Sequence, residues 1–168
     1  MSKYELQNET HKTSGVTFEE SEQALQLQPC LYERLGKEAG IEELSTLFYD
    51  RIFPDDDPVM KHIFSSSTRA EAIENQYYFF VQTFGGPHLY QQKKGKYTRL
   101  VGRHANYTSI GHSAAERWVH HMTLAMEDHE ILRNDEEAKQ ALKKYFQYTA
   151  HYIVVASEYM RPDQVRQH

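Results

Sequence analysis

The chain has one cysteine, one tryptophan, five prolines and eight glycines in 168 residues, and each scarcity closes off a class of protein. With Cys30 alone there is no intrachain disulfide and no thiolate cluster, so a reducing compartment is expected and only pairing between two chains stays open. Few breakers leave long stretches uninterrupted, as helices require. Positive charge is not in surplus: 19 Lys and Arg against 24 Asp and Glu give a net charge of −5. No long-range field therefore draws in nucleic acid or an anionic membrane. No apolar run approaches the roughly 20 residues of a membrane span. The first twenty residues, MSKYELQNETHKTSGVTFEE, lack the apolar run of a signal peptide and carry acids unlike a transit peptide. A cytoplasmic protein with no membrane and no nucleic acid among its partners is expected.

What is present fits one helical domain. An apolar content of 39% suits a globular chain that buries about two-thirds of its unfolded surface. Ten histidines and twelve tyrosines are many for this length, and suit a ligand or redox site or simple compositional drift. Residues 1–29 form a polar extension in which Thr17 and Glu20 are spaced to cap a short helix. LYERLG is a turn or two of helix ended by Gly36, and Gly40 marks a tight bend. Ile41, Leu44, Leu47, Phe48 and Ile52 then recur on one helical face. The run PDDDP ends that helix as a solvated turn, since no loop of calcium ligands follows.

Thr68 and Glu71 open a second long helix, and Gly85-Gly86-Pro87 stops it. Its stripe holds Ala72, Gln76, Phe79, Phe80 and Phe84. A flexible polar stretch, HLYQQKKGKY, leads to a short helix from Thr98 to His104. After the loop ANYTSIG a third long helix starts near Ser113, with Ala115, Trp118, Val119, Met122 and Ala125 inward. The last long helix is capped by Asn134 or Asp135 and ended by Arg161-Pro162. Its inward residues are Ala138, Leu142, Tyr145, Phe146, Thr149 and Ile153. The expectation is an all-α chain with about four long helices and two or three short ones. His112, His120, His121 and His129 lack the spacing of a zinc site and are expected on a solvated face.

All-α folds place ligands between helices. Gln76 sits amid aromatic residues, and a buried amide without a partner costs about 1–3 kcal/mol. The Tyr49 hydroxyl beside Phe48 and the Trp118 indole N–H pose the same question. Three donors from three helices either find separate backbone carbonyls or converge on one polar ligand.

The blocks LYERLGKEAGI, LFYDRI, QYYFFVQTFGGPHLY, GRH and AAERWVHHM, in this order, resemble the group II truncated haemoglobins of plants and bacteria. The resemblance covers Leu31 to about Tyr159, and GGPHLY with the RH and ERW pair is its most specific part. It implies a truncated globin, a two-over-two helical sandwich around haem b. The chain then divides into the extension, a globin domain over 30–161 and a tail over 162–168, with a monomer or a homodimer as the assembly.

By the same resemblance His104 is the axial ligand of the iron, and Tyr49, Gln76 and Trp118 line the opposite, distal face as hydrogen-bond donors. Phe48, Phe64, Phe79 and Phe80 border the haem, and Ala72 falls where vertebrate globins carry their distal histidine. Arg103, with Tyr97 or Arg99, reaches a haem propionate, an exposed pairing worth only about 0–1 kcal/mol. The proline-rich stretch common after the axial histidine is replaced here by ANYTSIG, and KKGKYTRL carries one extra residue.

The implied ligands are O2, NO, CO and similar small molecules. Each donor aimed at a partly charged diatomic ligand contributes about 1.5–3 kcal/mol, roughly tenfold to a hundredfold in affinity, felt mainly as slow release. Slow release suits redox chemistry: detoxification of nitric oxide, or peroxidase- or nitrite-reductase-like turnover. No flavin or nicotinamide motif is present, so turnover needs a separate reductase. Oxygen storage or sensing, and a haem-free interaction module, are the rival expectations.

Overall fold

The computed structural model describes residues 2–95 and 111–159. Among them there is no strand, and four long helices dominate: α4 (Lys37–Ile52), α6 (Arg69–Thr83), α8 (His112–Asp128) and α9 (Glu136–Tyr159). Short helices α1 (Lys3–Ser14), α2 (Phe18–Glu22), α3 (Leu31–Arg34), α5 (Pro58–Ile63) and α7 (Leu89–Lys94) fill the connections. Against the expected two or three short helices, the described residues hold five. The expected helix from Thr98 to His104, the Arg161-Pro162 stop and the tail lie outside the described residues.

Local chemistry explains the long helices' starts. Thr68 Oγ1 accepts from Glu71 N at 3.1 Å, and its own hydroxyl donates to Glu71 Oε1 at 2.9 Å. Asp135 caps α9 by accepting from Ala138 N at 3.1 Å, and its two oxygens accept from Arg34 at 2.8 and 3.0 Å. That pairing staples α3 to the start of α9. α4 packs against α6 and α8, and α8 against α9. The core between them contains Leu44, Phe48, Phe80, Met122 and Phe146, all buried.

Gly40 marks no bend. It lies inside the first turns of α4, where a Cβ would stand 1.5 Å from the carbonyl oxygen of Leu35. The α3–α4 corner passes too close for any side chain. At that corner φ is positive at Gly36, 94°, the left-handed conformation glycine adopts without cost, and at Lys37, 59°.

The extension is more ordered than its polar composition implied. Besides the Thr17–Glu20 capping box of α2, Ser2 and Glu5 form a second box at the start of α1. α1 and α2 lie along α9: Gln147 Nε2 donates to Ser14 O at 3.2 Å, and the rings of Phe18 and Tyr148 meet edge-on. The stretch expected to be flexible, HLYQQKKGKY, forms α7 over Leu89–Lys94, anchored by buried Tyr90 against Phe79.

Two surface assignments also change. The PDDDP turn is not wholly solvated, because the Asp55 side chain is only 2% exposed and is held by Arg117 and His121. The four histidines do not share a solvated face. His129 is fully buried, with Nε2 donating to Gly40 O at 2.7 Å and Nδ1 accepting from Ile131 N and Leu132 N. Two accepted bonds at Nδ1 fix the neutral, Nε2-protonated tautomer. His112 stacks on buried His151, their Nδ1 atoms 2.7 Å apart. Of the four, His120 alone is exposed. Among the described residues no group of side chains is arranged to hold a metal ion.

Candidate functional site

The four long helices enclose a cavity of about 170 Å³, more than the roughly 150 Å³ of an engineered apolar cavity that takes up benzene. α4 contributes Tyr49, α6 contributes Ala72, Gln76, Phe79 and Phe80, α8 contributes Trp118, and Phe64 follows α5. Seven residues chosen from the sequence therefore share one wall. The spacing 72, 76, 79, 80 puts the α6 set on one stripe, which the packing of α6 on α4 turns inward.

Phe48 is placed differently. It is fully buried and stands behind the wall, 4.8 Å between ring centroids from both Tyr49 and Trp118. Phe64 meets the Tyr49 ring edge-on at 5.7 Å. Trp118 is braced on its other side by Phe146 at 5.4 Å. His104, Tyr97, Arg99 and Arg103 lie outside the described residues.

Several lining residues escaped the sequence reading. Met60 and Ile63 come from α5, a helix opened by Pro58 and capped by Asp57. The Asp-Pro start was the available signal, and it was masked by the acidic run before it. Tyr145, Phe146, Thr149 and Ile153 of α9 also face the cavity, matching their expected inward stripe. Burial pushes the Tyr145 phenol up to about 12, so it stays neutral across the physiological range.

The wall is apolar and aromatic with a few separated polar groups, the usual make-up of a cofactor pocket. Gln76 Oε1 is buried and has no hydrogen-bond partner. A backbone carbonyl does not satisfy this oxygen, since both are acceptors. A guest with a polar atom does, since rotation about the last side-chain bond presents either N–H or C=O. The residues present therefore fit a large apolar group that brings one polar ligand to the α4–α6–α8 side.

Residues 30–153 match the family described as bacterial-like globin. The chain is 37% identical to two-on-two hemoglobin-3 of Arabidopsis thaliana over 97% of its length and 89% of that protein's. It is 41% identical to group 2 truncated hemoglobin 3-1 of Lotus japonicus, over 76% of this chain and 73% of the relative. The thermostable hemoglobin of Thermobifida fusca superposes with a TM-score of 0.65 at 31% identity, covering 74% of this chain and 96% of that one. The all-helical architecture, the α4–α6–α8–α9 cavity and these relatives agree: the chain belongs to the bacterial-like globins, as a group II truncated haemoglobin with the two-over-two fold and haem b as its cofactor.

Proposed function

We propose that this globin binds dioxygen, releases it slowly, and turns it over in redox chemistry rather than carrying it. The observation that supports this reading is the convergence of Tyr49, Gln76 and Trp118, from three different helices, on one aromatic cavity. Ferrous haem, when bound, supplies the iron at which O2, NO, CO or a similar small ligand attaches. His104, in the GRH motif ahead of α8, would hold the iron, and Arg103, with Tyr97 or Arg99, would pair with a propionate. Phe64, Phe79 and Phe80 would pack on the macrocycle, with Phe48 behind Tyr49 and Trp118.

The chain's own residues then set the behaviour. The Tyr49 hydroxyl, the Gln76 amide and the Trp118 indole are donors held in a low-dielectric wall, where each bond to a polar ligand is worth about 1.5–3 kcal/mol. All three side chains already line the cavity, which keeps the ordering cost of binding small. Ala72 leaves the α6 wall thin, which admits a second small reactant. The favoured net reaction joins nitric oxide, dioxygen and one electron from a separate reductase into nitrate.

Mixing the oxygenated protein with nitric oxide in a stopped-flow cell tests this. Stoichiometric nitrate within the mixing time is expected, together with loss of the Soret band in His104→Ala. Oxygen binding without nitrate formation would identify a storage or sensing protein instead.

A further inference from the structure

Asp55 is a buried carboxylate whose acceptor positions are nearly all taken. Its Oδ1 accepts from Arg117 Nη2 at 2.6 Å and from Asp57 N at 2.9 Å. Its Oδ2 accepts from Arg117 Nε at 2.6 Å and from His121 Nε2 at 2.7 Å. Arg117 is thus gripped side-on through Nε and Nη2, a bidentate and directional geometry. This pair ties the turn between α4 and α5 to α8.

Arg117 and His121 stand one helical turn apart on the same strip of α8, and Trp118 follows Arg117 by about 100° around the axis. Two anchors a turn apart resist both rotation and sliding of the helix. Ring contacts do not: the Phe48 and Phe146 faces against Trp118 tolerate slip, because dispersion has little directionality. Asp55 also organises the other wall. The bond to Asp57 N shapes the turn in which Asp57 Oδ2 caps α5 at Met60 N, 3.1 Å away, and Met60, Ile63 and Phe64 line the cavity.

We propose that Asp55 is a positioning residue for the cavity, a latch that fixes the azimuth of α8 and thereby aims the Trp118 indole. This rests on the reading of Trp118 as a ligand-facing donor, and the latch can be tested separately from it. Trp118 is the sole tryptophan, so the carbonmonoxy holoprotein labelled with 15N-tryptophan gives one indole N–H resonance. Asp55→Ala is expected to shift or broaden that resonance and to speed oxygen release severalfold. It is expected to add nothing in a Trp118→Phe background, and Asp55→Asn, which keeps one acceptor, should lie in between.

A folded Asp55→Ala protein with the wild-type indole resonance overturns the latch. So does an equal acceleration of release with Trp118 absent, which marks a general loosening. If Asp55→Ala fails to fold, Arg117→Gln carries the same two readings, because the Arg117 side chain is 44% exposed and glutamine keeps an N–H donor for the Asp55 carboxylate. If Trp118→Phe alone leaves release unchanged, the donor reading fails, whereas a displaced indole resonance in Asp55→Ala still supports the latch.

Discussion

The indole of Trp118 packs 4.8 Å from the ring of Phe48, centroid to centroid and tilted by 55°. Phe48 is fully buried and touches Tyr49 at the same separation. One core phenylalanine therefore holds two proposed donors in register from α4 and α8. Phe48→Ala is expected to cost about 3–5 kcal/mol, read by chemical denaturation. Phe48→Leu, which keeps most of the volume, should cost under about 2 kcal/mol yet loosen both donors, measured as faster oxygen release than wild type.

Gln76 separates function from stability. Its Oε1 is buried without a partner, a penalty of about 1–3 kcal/mol when no ligand compensates. Gln76→Leu should therefore leave the ligand-free protein as stable as wild type or up to about 2 kcal/mol more stable, while speeding oxygen release. A denaturation midpoint that falls with an unchanged release rate goes against a ligand-facing amide.

Acid should expose the Asp55 latch. The Arg117 guanidinium, opposed by burial and helped by the bonds from Asp57 N and His121, holds the Asp55 carboxyl well below the usual carboxylate range. A carboxyl lowered in the folded state stabilises above its unfolded pKa, about 3.9, and that stabilisation fades as pH falls from there toward the folded value. Asp55→Asn should therefore be less stable than wild type at pH 7, with the gap closing below about pH 4. A constant gap from pH 7 to pH 3 argues against the ionised carboxylate as its source.

The stacked His112–His151 pair predicts a loss in the same direction at a higher pH. Burial, then the charge of His151, pushes the His112 imidazole below its ordinary value. The unfolded chain takes up that proton first, so stability declines as pH drops through about 6.5 and the decline stops below the folded value. His112→Gln should flatten the stability profile between pH 7 and pH 5, as followed by thermal melts at fixed ionic strength.

How far the sequence reached can be judged from individual residues. The α6 stripe was legible because periodicity and a Thr68 start signal agree on one face, and that face is the cavity wall. Thr17 with Glu20 was legible for the same local reason, and Ser2 with Glu5 carried the identical signature in a segment too polar to suggest a helix. α1 shows no apolar stripe because the residues it buries are Thr10 and Ser14. Gly40 was misjudged because a glycine's meaning there depends on how closely Leu35 passes, a tertiary distance. Asp55, His121 and His129 were misjudged likewise: their partners lie 62 to 89 residues away in the chain. The role assigned to His104 stands on its motif.

The most direct test of the account is the oxygen dissociation rate of the ferrous protein, followed by displacement with carbon monoxide, in wild type and in the triple variant Tyr49→Phe, Gln76→Leu, Trp118→Phe. Loss of at least two charge-assisted bonds predicts an acceleration of roughly a hundredfold or more. A triple variant that releases oxygen at the wild-type rate contradicts it.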